Sequence, residues 1–243
     1  MTDVEQPDRK ALLLEQFTVD GRLCLAYAEP EAQCLAIQPV DEQDRKGLHR
    51  QLERIIEETR TPFALAAFQV LDWNQELSPW EAPPAFGKEG FGAGASGTLN
   101  WLESCLIPAL SSRFGFPKDT PVILGGYSLA AFFSLWSAYQ TDRFAAVAAA
   151  SPSVWFPGWI EYAQTHSPLT DCVYLSLGDR EERTRNKTMA AVGDCIRRQY
   201  DLLAGRNRVL EWNDGNHFKD ADLRCARAFS WCINQLCEIG MED

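Results

Sequence analysis

A serine lies where a buried strand turns directly into a buried helix, within the stretch from Val122 to Ala131. Aliphatic residues precede the turn and apolar residues follow it, so the local pattern predicts a strand, a sharp turn and a helix. Such a turn presses neighbouring backbone against the serine, and only very small residues fit two positions before and after it. Gly126 and Ala130 occupy those positions around Ser128. A strand that feeds a helix in this way indicates an α/β class of fold.

The same turn gives Ser128 a chemically useful position. Open α/β sheets bind ligands at the carboxyl ends of their strands, and the free N–H groups at a helix start favour developing negative charge. Ser128 is therefore a candidate nucleophile, and the N–H of Leu129 is a candidate donor to an oxyanion. The alternative is that Ser128 only caps a core helix.

The remaining pattern predicts a single domain over residues 1–243. Two β-like runs, 12–19 and 22–29, flank Asp20-Gly21, a strong signal for a two-residue hairpin turn. Downstream, nearly continuous apolar strands alternate with helices, as expected where helices cover both faces of a sheet. The strands are predicted at 34–40, 63–71, 121–125, 144–149, 172–177 and 208–212, and the helices at about 48–60, 98–114, 129–139 and 189–203, with a last helix through residues 223–236. We expect an open, doubly wound, mostly parallel sheet with an N-terminal antiparallel hairpin and no separate lid domain.

Residues 72–97 interrupt this alternation with a loop rich in glycine, proline and aromatic residues. Trp73, Trp80, Phe86 and Phe91 are large rings that must pack against something, which a flexible linker would not require. We interpret the loop as a structured surface excursion near a site. The alternative is a loop with a structural role alone.

Composition restricts the partners and the location. The chain has 34 acidic and 23 basic residues in 243, a formal charge of −11 that repels nucleic acids and anionic membranes. No apolar run approaches the roughly 20 residues that span a bilayer. The eight cysteines are scattered without a Cys-x-x-Cys pair, and the start lacks a secretory pattern, so we expect reduced thiols and a cytoplasmic protein. No group of side chains has metal-ligand spacing, so neither a metal nor a cofactor is predicted, and the oligomeric state is left open.

A serine hydroxyl needs a base, and the sequence offers three histidines. His217 lies in a turn rich in Gly, Asn and Asp between the last strand and the last helix, after the serine and after the candidate acids. His49 precedes the serine in a charged helix, and His166 precedes the strand expected to deliver the acid. We therefore predict His217 as the base.

The acid that orients this histidine should follow the strand ending near residue 177. Asp179, Glu181 and Glu182 all lie there, and spacing alone does not choose among them.

Four segments together resemble the esterase branch of the α/β-hydrolases that includes enterochelin-esterase-like enzymes, S-formylglutathione hydrolases and feruloyl esterases. They are Gly126–Ala130, Ser151–Trp155, Gly178–Glu181 and Gly215–His217. The resemblance runs from about residue 34 to the C-terminus. It implies an α/β-hydrolase fold, ranks Glu181 above Asp179 as the acid, and puts the second oxyanion donor at Val40 or Asp41.

The sequence thus predicts a carboxylesterase-like serine hydrolase that cleaves a small-molecule ester or thioester through an acyl-enzyme. A compact, partly apolar acyl or aryl group would suit the aromatic residues near the serine. The residues predicted to line the substrate pocket are Trp73, Trp80, Tyr127, Ser153 and Trp155. Two alternatives remain open, namely acyl transfer by the same residues and a non-catalytic protein that binds a ligand in the same pocket.

Overall fold

The computed structural model describes residues 13–85 and 87–239, so residue 12 of the first predicted strand and Phe86 of the aromatic loop lie outside the described residues. The strands are β1 Glu15–Val19, β2 Arg22–Ala28, β3 Cys34–Val40, β4 Phe63–Gln69, β5 Val122–Tyr127, β6 Ala146–Ala150, β7 Cys172–Gly178 and β8 Asn207–Asn213. The helices are α1 Glu42–Glu58, α2 Trp73–Glu76, α3 Ala95–Trp101, α4 Ile107–Phe114, α5 Leu129–Ser137, α6 Trp159–Thr165, α7 Lys187–Ala190, α8 Val192–Leu202 and α9 Ala221–Ile239.

The strands form one sheet in the order β1-β2-β4-β3-β5-β6-β7-β8. The pairs β1–β2 and β2–β4 are antiparallel, and every pairing from β4 through β3 to β8 is parallel. Val19 pairs with Arg22 across the predicted turn, where Asp20 and Gly21 have φ of 49° and 78°. Two successive positive φ values are those of the hairpin turn that matches strand twist. The predicted mostly parallel α/β sheet with an N-terminal antiparallel hairpin is therefore confirmed.

Helices cover both faces of the sheet. In β3, Leu35 and Ile37 join one apolar cluster, and the alternate residues Cys34 and Ala36 join the other. Helices α3 to α6 and α8 contribute side chains to the first cluster, and α1 and α9 contribute side chains to the second. Because both faces of the sheet are buried, the sequence of β3 is nearly continuously apolar. Its side chains still alternate between the two faces.

Membrane crossing is not supported by any described helix. In residues 13–85 and 87–239, each helix is too short or too polar for a transmembrane span.

The helix predicted over residues 98–114 is instead three consecutive helical segments. It begins earlier, at Ala95, and contains one π-helical turn, Leu102–Leu106, between α3 and α4. Pro108 explains the interruption, because proline has no N–H to bond the carbonyl four residues before it. The N–H of Ile107 instead bonds the Leu102 carbonyl, five residues back.

Other helix boundaries differ where side-chain caps decide them. Helix α1 begins at Glu42 rather than near residue 48, because the Asp41 carboxylate accepts the Asp44 N–H at 2.7 Å. The helix predicted from residue 189 begins earlier, at Lys187, where Asn186 caps α7, and is then divided into α7 and α8.

Candidate active site

Ser128 lies between β5 and α5 in a strained conformation, with φ 58° and ψ −116°. The glycines before it leave no room for side chains. A Cβ on Gly126 would lie 2.8 Å from the Ala130 Cβ, and a Cβ on Gly125 would lie 2.6 Å from Phe229 Cζ. Two backbone bonds hold the turn, from the Ser128 N–H to the Ala150 carbonyl and from the Ser153 N–H to the Ser128 carbonyl. Strain of this kind persists only where the surroundings enforce it, and it is frequent at reactive positions.

The Ser128 hydroxyl faces the imidazole of His217. The distance from Ser128 Oγ to His217 Nε2 is 3.0 Å. His217 lies between β8 and α9, in the turn identified in the sequence. Its ring packs against the ring of Tyr127, with centroids 5.0 Å apart, and edge-on against Phe218 at 5.6 Å. The imidazole is thereby oriented on both sides and within hydrogen-bond reach of the hydroxyl.

The far nitrogen of this imidazole meets a buried carboxylate. His217 Nδ1 lies 2.7 Å from Glu181 Oε2. The other oxygen, Oε1, accepts the Gly178 N–H at 2.7 Å, the Ser151 hydroxyl at 2.8 Å and Arg224 Nη1 at 2.8 Å. Burial raises the pKa of Glu181, but the hydrogen bond and charge of His217 and the bonds from Gly178 and Ser151 outweigh it, so the net pKa is lowered. The carboxylate is thus ionised and able to accept a hydrogen bond from the Nδ1–H group.

The other two acidic candidates face away from His217. Asp179 Oδ1 accepts the Gly215 N–H at 2.8 Å and lies 3.5 Å from Arg180. Glu182 is exposed and lies 3.6 Å from Arg197. The alternative assignment of Asp179 as the acid is therefore not supported by the geometry, because a carboxylate committed to the loop backbone is not at the imidazole.

Two backbone N–H groups are candidates for an oxyanion site. Leu129 is the first residue of α5, where N–H groups have no intrahelical acceptor. The Val40 carbonyl accepts the Val70 N–H at 3.0 Å, so the backbone groups of Val40 face β4. Backbone groups of successive residues in a strand point to opposite sides, which directs the N–H of Asp41 to the β5 side. The Asp41 N–H lies 3.4 Å from Asp44 Oδ2, a long contact. Val40 and Asp41 are the two positions that the resemblance implies for the second donor, and the N–H of Asp41 also takes part in the capping box of α1.

Ser153 lies next to the candidate nucleophile. Its Oγ is 3.4 Å from Ser128 Oγ, and its side chain is buried. Ser151, two residues earlier, has φ 46° and donates to Glu181. The segment that follows β6 thus contacts both the serine and the acid.

The aromatic loop packs on the segment that follows Ser153. Trp80 Nε1 donates to the Pro157 carbonyl at 2.8 Å, and the Trp80 ring contacts Phe156 and Tyr162 at centroid distances of 5.9 and 5.6 Å. Phe91 contacts Trp155 edge-on at 6.1 Å. Trp80 and Phe91 of the loop are therefore packed, and they form one aromatic wall with Trp155 and Phe156.

Tyr127, one of the residues predicted to line the pocket, lies on the opposite face of the sheet from the predicted tryptophans. Tyr127 packs in the cluster under α1 and α9, whereas Trp73, Trp80 and Trp155 pack against the opposite cluster. The Tyr127 hydroxyl donates to the His217 carbonyl at 2.7 Å, and burial raises the pKa of the phenol. Tyr127, predicted to line the substrate pocket, therefore lies on the other face from the three tryptophans, because its position at the end of β5 directs its ring there.

A cavity of about 260 Å³ opens on that face, between the starts of α1 and α9. Val40, Tyr127 and Phe218 are among its lining residues, and most of the others are polar.

Arg224 was not among the site residues predicted from the sequence. This arginine is 3 % exposed, and its guanidinium donates to Glu181 and to the carbonyls of Asp214 and Asn216. The sequence pattern could have indicated a buried arginine, because Arg224 lies one helical turn before the buried Ala228, on the apolar side of α9. A charged residue in such a position requires a partner.

The two remaining histidines lie elsewhere. His49 is exposed on α1, and the His166 ring stacks on Tyr162 at a centroid distance of 3.9 Å. Of the three histidines, only His217 meets Ser128.

This chain matches known proteins by structure and not by sequence. Neither a protein-family profile nor a curated protein matches the sequence. Solved structures match over almost the whole chain. The siderophore hydrolase EstB from Aspergillus nidulans has a TM-score of 0.69 at 16 % identity and covers 96 % of this chain and 97 % of its own. EstA from the same organism has a TM-score of 0.67 at 16 % identity, with 97 % and 98 % covered.

A bacterial esterase gives the same result. The enterobactin esterase FES from Shigella flexneri has a TM-score of 0.69 at 12 % identity and covers 93 % of this chain and 60 % of its own. The strand order, the helices on both faces and these structural likenesses together show that the chain has an α/β-hydrolase fold.

Proposed function

We propose that this chain is a single-domain serine hydrolase that cleaves a small-molecule ester or thioester. The observation that carries the proposal is the relay from Ser128 Oγ to His217 Nε2, 3.0 Å, and from His217 Nδ1 to Glu181 Oε2, 2.7 Å. These contacts are those of an activated serine with an oriented base. The similar structures described above are those of hydrolases and an esterase, which supports the same reaction class.

In the proposed reaction, His217 Nε2 takes the Ser128 proton as Oγ attacks the carbonyl carbon. The carbonyl oxygen becomes an oxyanion, which the N–H groups of Leu129 and Asp41 stabilise. Glu181 holds the imidazole in the tautomer with its proton on Nδ1 and stabilises the imidazolium. The imidazolium then protonates the leaving alcohol or thiol, which leaves an acyl group on Ser128. Water, deprotonated by His217, attacks the acyl-enzyme and releases the acid.

The substrate pocket in this proposal lies on the side of Ser153 and the aromatic wall. Trp155 follows Ser153 closely and touches Phe91 of the aromatic loop. Aromatic rings beside a reactive serine favour a compact, partly apolar acyl or aryl group.

We also propose a reducing, cytoplasmic location. All eight cysteines are free, and burial raises the pKa of Cys24 to about 11 and that of Cys34 to about 12. Thiols with raised pKa values are poorly reactive and suit a core that is never oxidised.

Hydrolysis of short p-nitrophenyl esters tests the proposed reaction. We expect saturable release of nitrophenol by the wild-type protein, and loss of this activity in proportion to the amount of fluorophosphonate bound, up to one per chain. Appearance of the free acid, even with added alcohol or thiol, is the result expected for hydrolysis rather than acyl transfer. A wild-type protein that is inert on these esters and stays unlabelled would contradict the proposal and favour a non-catalytic binding protein.

A further inference from the structure

We propose that Arg224 is a positioning residue that fixes the Glu181 carboxylate and the His217 loop against each other. This inference rests on the proposed function, because it assigns Arg224 a role in the same reaction. Arg224 lies in α9 and does not belong to the Ser128, His217 and Glu181 relay.

Arg224 helps to fix the direction of the Glu181 carboxylate. Arg224 Nη1 lies 2.8 Å from Glu181 Oε1, and both side chains are 3 % exposed. With Oε1 held by the guanidinium, the Gly178 N–H and the Ser151 hydroxyl, only Oε2 is left for His217 Nδ1. Arg224 contacts Glu181 through Nη1 alone, so it fixes the position of Oε1, and its second nitrogen, Nη2, is left to bind the histidine loop.

Arg224 also binds the loop that carries His217. Arg224 Nη2 donates to the carbonyl of Asn216 at 3.0 Å and to that of Asp214 at 3.3 Å. Nη1 also donates to the Tyr127 hydroxyl at 3.0 Å, and that hydroxyl donates to the His217 carbonyl at 2.7 Å. One side chain therefore bonds the acid and, directly or through Tyr127, the backbone of three residues in the histidine loop.

The charges of Arg224 and Glu181 compensate each other. A buried arginine needs a compensating anion, and the carboxylate within salt-bridge distance of Arg224 is Glu181. Glu181 is likewise a buried carboxylate, and the Arg224 guanidinium 2.8 Å away balances its charge beside the hydrogen bond to His217 Nδ1. Removing the guanidinium would free both the carboxylate and the loop, and a displacement of about 1 Å at a reacting group can cost about 100-fold in rate.

The kinetic test compares Arg224→Met and Arg224→Lys with the wild type. We expect Arg224→Met to lower kcat about 100-fold and to change KM less than about threefold, since the arginine is buried behind the acid. Arg224→Lys should recover part of the loss, because an ammonium supplies the charge but not the fork that reaches the loop carbonyls. Arg227→Met is the matched control. Arg227 is on the same helix, donates to Asn213 Oδ1 at 2.7 Å and should leave kcat unchanged.

A double variant keeps the test valid if Arg224→Met does not fold. In Glu181→Gln with Arg224→Met no buried charge loses its partner. Because Arg224 acts partly through Glu181 and partly on the histidine loop, we expect the loss of kcat in the double variant to be smaller than the product of the two single losses. Multiplicative losses in the double variant, or a normal kcat in Arg224→Met, would overturn the proposal.

A readout independent of turnover separates this proposal from the proposed function. The proton between His217 Nδ1 and Glu181 should give a strongly downfield signal in the proton NMR spectrum of the wild type. We expect the signal to disappear in Arg224→Met and to persist in Arg227→Met. A wild type that is inert but shows this pattern would refute the hydrolase and leave the positioning role intact. A signal that persists in folded Arg224→Met would refute the positioning role.

Discussion

Ser128→Ala is expected to lower kcat on p-nitrophenyl esters by about 10⁶-fold, to the limit of the assay. Alanine fits the turn between β5 and α5 as well as serine does, so the fold and KM should change little. The loss is therefore that of the attacking oxygen, without which His217 can only activate water. Stopped assays at high protein concentration, with thermal unfolding of the same samples, measure both parts of this expectation.

Ser153→Ala is the appropriate comparison, because Ser153 Oγ is only 3.4 Å from Ser128 Oγ. We expect this variant to lose at most about tenfold in kcat, the order of one neutral hydrogen bond. If Ser153→Ala were inactive and Ser128→Ala active, the nucleophile would be the neighbouring serine.

Glu181→Gln is expected to lower kcat by about 10³- to 10⁴-fold. Glutamine has nearly the same shape, but its amide does not stabilise an imidazolium and can donate a proton towards His217 Nδ1, which favours the wrong tautomer. KM should stay close to that of the wild type, since Glu181 is buried behind the imidazole. Initial rates at saturating ester measure the effect.

Asp179→Asn is the matched variant for this prediction, because the asparagine oxygen can still accept the Gly215 N–H that Asp179 binds at 2.8 Å. Its kcat should be close to that of the wild type. A nearly normal Glu181→Gln together with an inactive Asp179→Asn would show that the loop after β7 rearranges and that Asp179 is the acid.

Several of the predictions made from the sequence rest on local pattern or on chain order. The hairpin follows from Asp20-Gly21, which accept positive φ, and the turn at Ser128 follows from Gly126 and Ala130, which leave it room. His217 is the histidine that follows the serine and the candidate acids in the chain. Each of these inferences needs only neighbouring residues or chain order.

The features that the sequence left open depend on distant contacts. Asp179 and Glu181 are two residues apart in one turn, and Gly215 and Arg224, more than 30 residues later, decide which carboxylate meets His217. Spacing within the turn carries no such information.

The face of the sheet on which Tyr127 lies also depends on distant contacts. The sequence places it beside Ser128, but the sheet geometry directs its ring to α1 and α9 and away from the aromatic wall. Residues adjacent in the chain thus serve opposite faces of the sheet, because side chains alternate along a strand.

Mapping of a fluorophosphonate adduct tests the central claim, that Ser128 is an activated nucleophile, most directly. Wild-type protein treated with the probe, digested and analysed by tandem mass spectrometry should carry one adduct, on Ser128, and His217→Ala should label far more slowly. An adduct on another residue, or a wild type that does not react at all, would contradict the account.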